Sequence, residues 1–132
     1  LTSKKAGFNL ACMPKILIVD DDIHSVEVIS YLFEQEGFSC VTVLNYNDAI
    51  DQLSENLFDL AIIDLRMPGI DGYQLIEDVR KKHSFPIIAF TALDDLEVHQ
   101  KALAKGASCV VTKPCSPSNL LDLVKNLLAE KS

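Results

Sequence analysis

Short, continuously apolar runs alternate along this chain with longer stretches in which apolar residues return every three or four positions. The short runs lie at 16–19 (ILIV), 40–44 (CVTVL), 60–63 (LAII), 87–90 (IIAF) and 109–111 (CVV), and are rich in the aliphatic and β-branched residues that favour extended backbone. Consecutive rather than alternate apolar positions suit strands covered on both faces, as in a parallel sheet. Between the runs, Ile23, Val26, Ile29 and Phe33 mark one helical face, and Ala49, Ile50, Leu53 and Leu57 a second. Leu75, Ile76 and Val79 mark a third. Leu96 and Leu103 give a weaker fourth, and Leu120, Leu121, Val124, Leu127 and Leu128 a strong fifth.

Punctuation agrees with this reading. Gly37 and Gly106 fall where helix ends favour a left-handed residue, and Ser116-Pro117 supplies an N-cap followed by proline at the first helical position. The order is therefore (βα)5, which predicts an α/β fold with a doubly wound five-stranded parallel sheet and right-handed crossovers. Sheets of this kind bind ligands beyond the carboxyl ends of their strands. One domain is expected over 14–132, preceded at 1–13 by a tail or linker that carries no clear period.

Composition narrows the classes of function. With 132 residues, 48% of them hydrophobic, the chain can bury a core without disulfides or a structural metal. A net charge of −7 argues against a nucleic-acid surface, which needs clustered Lys and Arg. No apolar run reaches the ~20 residues of a membrane helix, and 6–13 is too short and too polar for a secretion signal. Cys12, Cys40, Cys109 and Cys115 form no CxxC pair and read as small core residues of a protein in the reducing cytoplasm.

The strand ends carry the chemistry. The first run leads into Asp20-Asp21-Asp22 and the third into Asp64, so carboxylates from two strands should crowd one crevice. Such acids repel unless a cation sits among them, and a hard divalent ion such as magnesium takes one or two carboxylates together with phosphate oxygens. Asp64 is then a nucleophile suited to forming an acyl phosphate. The fourth run leads to Thr91-Ala92, a hydroxyl donor beside a small residue, and the fifth to Thr112-Lys113-Pro114, which brings a fixed cation for a phosphoryl oxygen. His24 reads as an exposed first-turn residue, because a magnesium site prefers oxygen, and His83 and His99 read as helix-surface residues with no partner.

Asp20-Asp21, Asp64 within IIDLRMPGIDG, Thr91-Ala92 and Lys113-Pro114 together make the chain resemble the response regulator receiver domains of two-component signalling, over about residues 15–128. The resemblance implies a flavodoxin-like sheet in the order 2-1-3-4-5. It implies that Asp64 accepts a phosphoryl group from a histidine kinase or histidine phosphotransfer domain with Mg2+, or Mn2+ in its place. Asp21 would be a direct metal ligand, Asp20 a ligand largely through water, and the Arg66 backbone carbonyl a further ligand. Lys113 would pair with the phosphoryl group across a cis Lys113-Pro114 bond. Thr91 would move toward the phosphoryl group, with Ala92 leaving it space, and reshape the face of the fourth helix, fifth strand and fifth helix. That face would serve a downstream output domain or protein, or a phosphorylation-linked homodimer. Such a domain is no conventional enzyme: it catalyses its own phosphorylation and dephosphorylation.

The sequence departs from the family at Val110, where an aromatic ring usually tracks the threonine; valine cannot swing a ring between buried and exposed positions. Cys115 stands where phenylalanine is frequent, and Arg66 and Leu93 flank the family's route for hydrolytic water. Two rivals remain at this point. A receiver-like module could bind partners constitutively without phosphorylation. A haloacid-dehalogenase-like phosphohydrolase would use Asp20-x-Asp22 as nucleophile and acid, but it leaves Asp64 and its turn unexplained.

Overall fold

The computed structural model describes residues 13–67 and 70–131. Residues 1–12 of the tail expected at 1–13, with Cys12, and the Pro68-Gly69 pair of the turn after Asp64 lie outside the described residues. The chain runs β1 (Lys15–Val19), α1 (Ile23–Gln35), β2 (Ser39–Val43), α2 (Tyr46–Glu55), β3 (Leu60–Asp64), α3 (Gly72–Lys82), β4 (Ile87–Thr91), α4 (Leu96–Lys105), β5 (Cys109–Thr112) and α5 (Pro117–Lys131). A two-residue antiparallel ladder, Arg66–Met67 on Ile70–Asp71, sits between β3 and α3. The main sheet is wholly parallel in the order β2-β1-β3-β4-β5, as expected.

Side chains alternate across the sheet, so the apolar runs feed two cores. Leu17, Val19, Ala61, Ile63, Ile87 and Ala89 meet Leu53 of α2, Leu75, Ile76 and Val79 of α3 and Ala102 of α4. Ile16, Ile18, Leu60, Ile62, Ile88 and Phe90 meet Val26, Ile29 and Phe33 of α1 and Leu120, Leu121 and Val124 of α5. This double cover explains why the strands are apolar at consecutive positions. Each helix begins on a short polar cap. The side chains of Asp22, Asn45, Asp71 and Asp95 accept first-turn amides of α1 to α4, and Ser116 Oγ accepts the Asn119 amide of α5. Gly37 and Gly106 take φ values of 97° and 124°, the left-handed region that favours glycine.

Several core expectations are corrected. Ile23 is 51% exposed, because it opens α1 ahead of the buried Val26, Ile29 and Phe33, and Leu57 is 90% exposed, because it follows the end of α2. Leu96 and Leu103 are 71% and 48% exposed. At 3.6 residues per turn they share the face of α4 roughly opposite Val98 and Ala102, and Ala102 is the residue of α4 that is buried. The cysteines also sit further out than expected. Cys40, Cys109 and Cys115 are free and partly buried against the α1 and α5 side. Burial, with the charge of Glu34 adding to it, pushes the Cys40 thiol up to about 12.

One arginine joins the far ends of three segments. Arg80 Nε donates to Gly106 O at 3.0 Å, and its Nη1 donates to His83 O and Phe85 O at 3.0 and 2.8 Å. Its planar fork meets all three carbonyls at once, a geometry that a lysine ammonium on a flexible stem does not reproduce. Arg80→Ala should therefore lower the unfolding free energy by about 2–3 kcal/mol, the scale of charge-assisted hydrogen bonds lost from partly buried carbonyls. Arg80→Lys should recover less than half of that. Urea titration checks both, and an unchanged midpoint for Arg80→Ala would refute the clamp.

Candidate functional site

Four strand ends build the site. Asp20 follows β1 and is held there by its amide, which donates to Val43 O of β2 at 3.2 Å. Its Oδ1 accepts the Asp22 amide at 3.0 Å and its Oδ2 accepts Lys113 Nζ at 3.0 Å. Asp64 ends β3. Its Oδ1 accepts the Arg66 amide at 3.0 Å and its Oδ2 accepts the same ammonium at 3.1 Å. Asp20 and Asp64 are both buried, whereas Asp21 stands exposed at the rim.

Lys113 comes from the opposite side, one residue beyond β5. Its amide donates to Thr91 O at 2.6 Å, and its ammonium also lies 4.9 Å from the centroid of the Phe90 ring. The Lys113-Pro114 bond is cis. Thr91, the last residue of β4, is fully buried, and its Oγ1 accepts the Leu93 amide at 3.1 Å. Ala92 is exposed beside it.

The charges are coupled. Burial raises the Asp64 pKa above the ordinary carboxylate range, the Arg66 amide lowers it, Asp20 raises it and Lys113 lowers it, with burial and Asp20 prevailing. For Lys113, burial of the ammonium acts downward, but hydrogen bonds and charge from Asp20 and Asp64 outweigh it and raise the pKa. The lysine is thus firmly charged, while the acids exceed what one ammonium can compensate. Ligand oxygens of Asp20, Asp21 and Asp64 lie within 4.8 Å of one another. Three carboxylates against one ammonium form a hard, oxygen-only and undercompensated donor set, which fits a magnesium-like divalent cation.

The structure thus brings together Asp20, Asp21, Asp64 and Lys113, with Thr91 and Arg66 joined to them through backbone hydrogen bonds. Asp22 belongs elsewhere. Its carboxylate accepts the His24 and Ser25 amides and the Ser25 hydroxyl, which holds its pKa low and commits it to capping α1. The Asp20-x-Asp22 phosphohydrolase reading therefore loses its acid. Val110 is partly buried against the α2, α3 and α4 side. His24 is exposed, as expected. The other two histidines have partners, contrary to expectation: His83 stacks on Phe85 with centroids 5.3 Å apart, and His99 Nε2 lies 3.4 Å from Thr112 Oγ1.

Two further contributors escaped the sequence. Phe90 lies under the lysine, and beyond it opens a cavity of about 580 Å3 lined in part by Val28, Ile29, Pro114, Cys115 and Pro117. Gly72 packs onto the backbone that carries Asp64. A Cβ there would lie 2.5 Å from Asp64 O and 2.6 Å from Leu65 Cα. The Asp71-Gly72 pair at the start of a helix was the available signal, but it shows a turn and not this contact.

Comparison with known proteins agrees with the geometry. The model of the response regulator receiver domain matches residues 16–125. The regulatory protein VanRc of Enterococcus gallinarum is 34% identical over 114 residues, covering 86% of this chain and 49% of that protein, so the chain spans about half the length of this relative. The receiver domain of the Francisella response regulator 1452 superposes with a TM-score of 0.84 at 31% identity, covering 90% of this chain and 99% of that one. A two-component response regulator from Clostridium difficile gives a TM-score of 0.88 at 26% identity, covering 91% and 99%.

Because a methyl group at position 72 would meet the backbone of Asp64 and Leu65 at 2.5–2.9 Å, Gly72→Ala must displace either α3 or the Asp64 segment. A loss of about 2 kcal/mol or more is expected, at the upper end for overpacking, with amide shifts concentrated at 64–66. An unchanged thermal midpoint would show that the segment yields freely.

Proposed function

Because the chain belongs to the response regulator receiver domain family, we propose that Asp64 is its phosphoacceptor and that the chain works as a phosphorylation switch. The observation that carries this reading is the Lys113 ammonium, bound at once to Asp20 and Asp64 with a third acid alongside. A carboxylate oxygen of Asp64 attacks phosphorus, the P–N bond of a donor phosphohistidine breaks, and its electron pair leaves with the imidazole nitrogen. An acyl phosphate results. Lys113 offsets charge on a phosphoryl oxygen, and the Thr91 hydroxyl reaches another once it turns from the Leu93 amide.

Asp20, Asp21, Asp64 and the backbone carbonyl of Arg66 are the proposed holders of Mg2+, with Mn2+ as a substitute. The ion supplies charge neutralisation for the transferring phosphoryl group. A histidine kinase or histidine phosphotransfer domain is the proposed donor. The proposed output is the face of α4, β5 and α5, read by an output domain, a separate protein or a second copy. Exposed Leu93, Leu96 and Leu103 support a partner there. No helix of the described residues is long and apolar enough to cross a membrane, and the cytoplasm is the proposed compartment.

Incubation with acetyl phosphate and magnesium should add one phosphoryl group by intact mass to the wild type and none to Asp64→Asn. Loading of Asp64→Asn, or of the wild type in excess chelator, would sink the assignment; an inert wild type would favour a constitutive binding module. Asp21→Ala should weaken magnesium binding by more than about tenfold, since even indirect supports of a metal site carry that much. Calorimetric titration measures it, and equal affinities would remove Asp21 from the ligand set.

A further inference from the structure

We infer that His99 is a positioning residue that ties α4 to β5, so that the state of Asp64 reaches α4 through Thr112. This rests on the reading of Asp64 as phosphoacceptor. His99 Nε2 and Thr112 Oγ1 are 3.4 Å apart and share a hydrogen bond whichever of them donates. Among the described residues no other side-chain hydrogen bond joins α4 to β5. The imidazole also lies 4.0 Å from Asp94 Oδ1, in the loop between β4 and α4.

The position of this bond gives it meaning. Thr112 pairs in register with Thr91 and immediately precedes Lys113, whose amide donates to Thr91 O and whose ammonium grips Asp64. A pull on the ammonium therefore acts one residue from Thr112, the partner of the imidazole. The helix at the other end buries Ala102 and packs Val98 in part, while Leu96 and Leu103 face outward. Val110, two residues earlier on β5, is aliphatic and offers no hydrogen bond of its own. On its α3 side α4 is held by Lys101 over Tyr73 and Lys105 beside Glu77, so the His99 bond is its side-chain tie to β5, and segments open at lower local free energy when such a tether is cut.

The test compares wild type, His99→Leu, His99→Gln, Thr112→Val and the His99→Leu/Thr112→Val pair by acetyl phosphate loading and by amide hydrogen exchange with and without beryllofluoride and magnesium. Loading should stay within about twofold of wild type in all of them, because none touches the reacting atoms. Exchange across 98–105 should quicken at least about threefold in unligated His99→Leu and Thr112→Val, the factor that a hydrogen bond of ordinary net strength supports. It should then no longer respond to beryllofluoride. His99→Gln, which keeps a polar group within reach of Thr112, should restore both properties, and the double variant should add nothing to either single one.

Wild-type exchange and response in His99→Leu would overturn the inference, as would additive single effects. If His99→Leu fails to fold, Thr112→Val and the glutamine variant decide the matter alone. If the wild type itself fails to load, the phosphoacceptor reading falls, whereas protection of unligated α4 still tests the tether.

Discussion

Asp20 and Asp64 stand at the ends of adjacent strands and share one ammonium, that of Lys113, at 3.0 and 3.1 Å. Two buried carboxylates so close are costly without it, since burial and mutual repulsion both penalise their charges. Burial of the lysine is costly too, and its compensation comes from the same two acids. None of the three could occupy its place alone. The sheet supplies the geometry: Ile63 pairs with Val19 just before the two acids, and Thr91 pairs with Thr112 just before the lysine. A one-residue slip of any strand would turn its side chains to the other face and separate the trio.

That register is secured away from the site, by the two cores. Each strand is locked by apolar side chains on both faces, so the carboxyl ends of β1, β3, β4 and β5 can end in polar residues without loosening the sheet. The site residues lie at or just past the last paired positions, where the backbone is still fixed but the side chains reach the surface. This division of labour places costly chemistry on a rigid support.

It also explains what the sequence made legible. Consecutive apolar runs announce strands of a doubly covered sheet, and the strand-end rule then assigns Asp20, Asp21, Asp64, Thr91 and Lys113 to one crevice without any tertiary contact being known. Harder to read was everything decided by helix orientation. The fourth helix has too few apolar residues for its period to point a direction, so Leu96 and Leu103 suggested an inward face where Ala102 provides it. The Arg80 clamp and the contact between His99 and Thr112 depend on which rotamers meet once helices are seated, and spacing along the chain carries no record of that. Gly72 was visible as a turn residue, but the close approach it permits is a property of two segments together.

That close approach also bears on the direction a signal can take. Asp64 is mounted between supports packed to different degrees. On one side the start of α3 lies so near the Asp64 and Leu65 backbone that no methyl group fits between them, and α3 is anchored below by Leu75, Ile76 and Val79. On the other side, past Lys113 and Thr91, stands α4, which buries Ala102, packs Val98 in part and otherwise reaches α3 through Lys101 over Tyr73 and Lys105 beside Glu77. A load applied at the carboxylate therefore meets the closer-packed support on the α3 side. Under the proposed switch, displacement would follow the less closely packed path, so an event at Asp64 would be rectified into movement on one edge of the molecule.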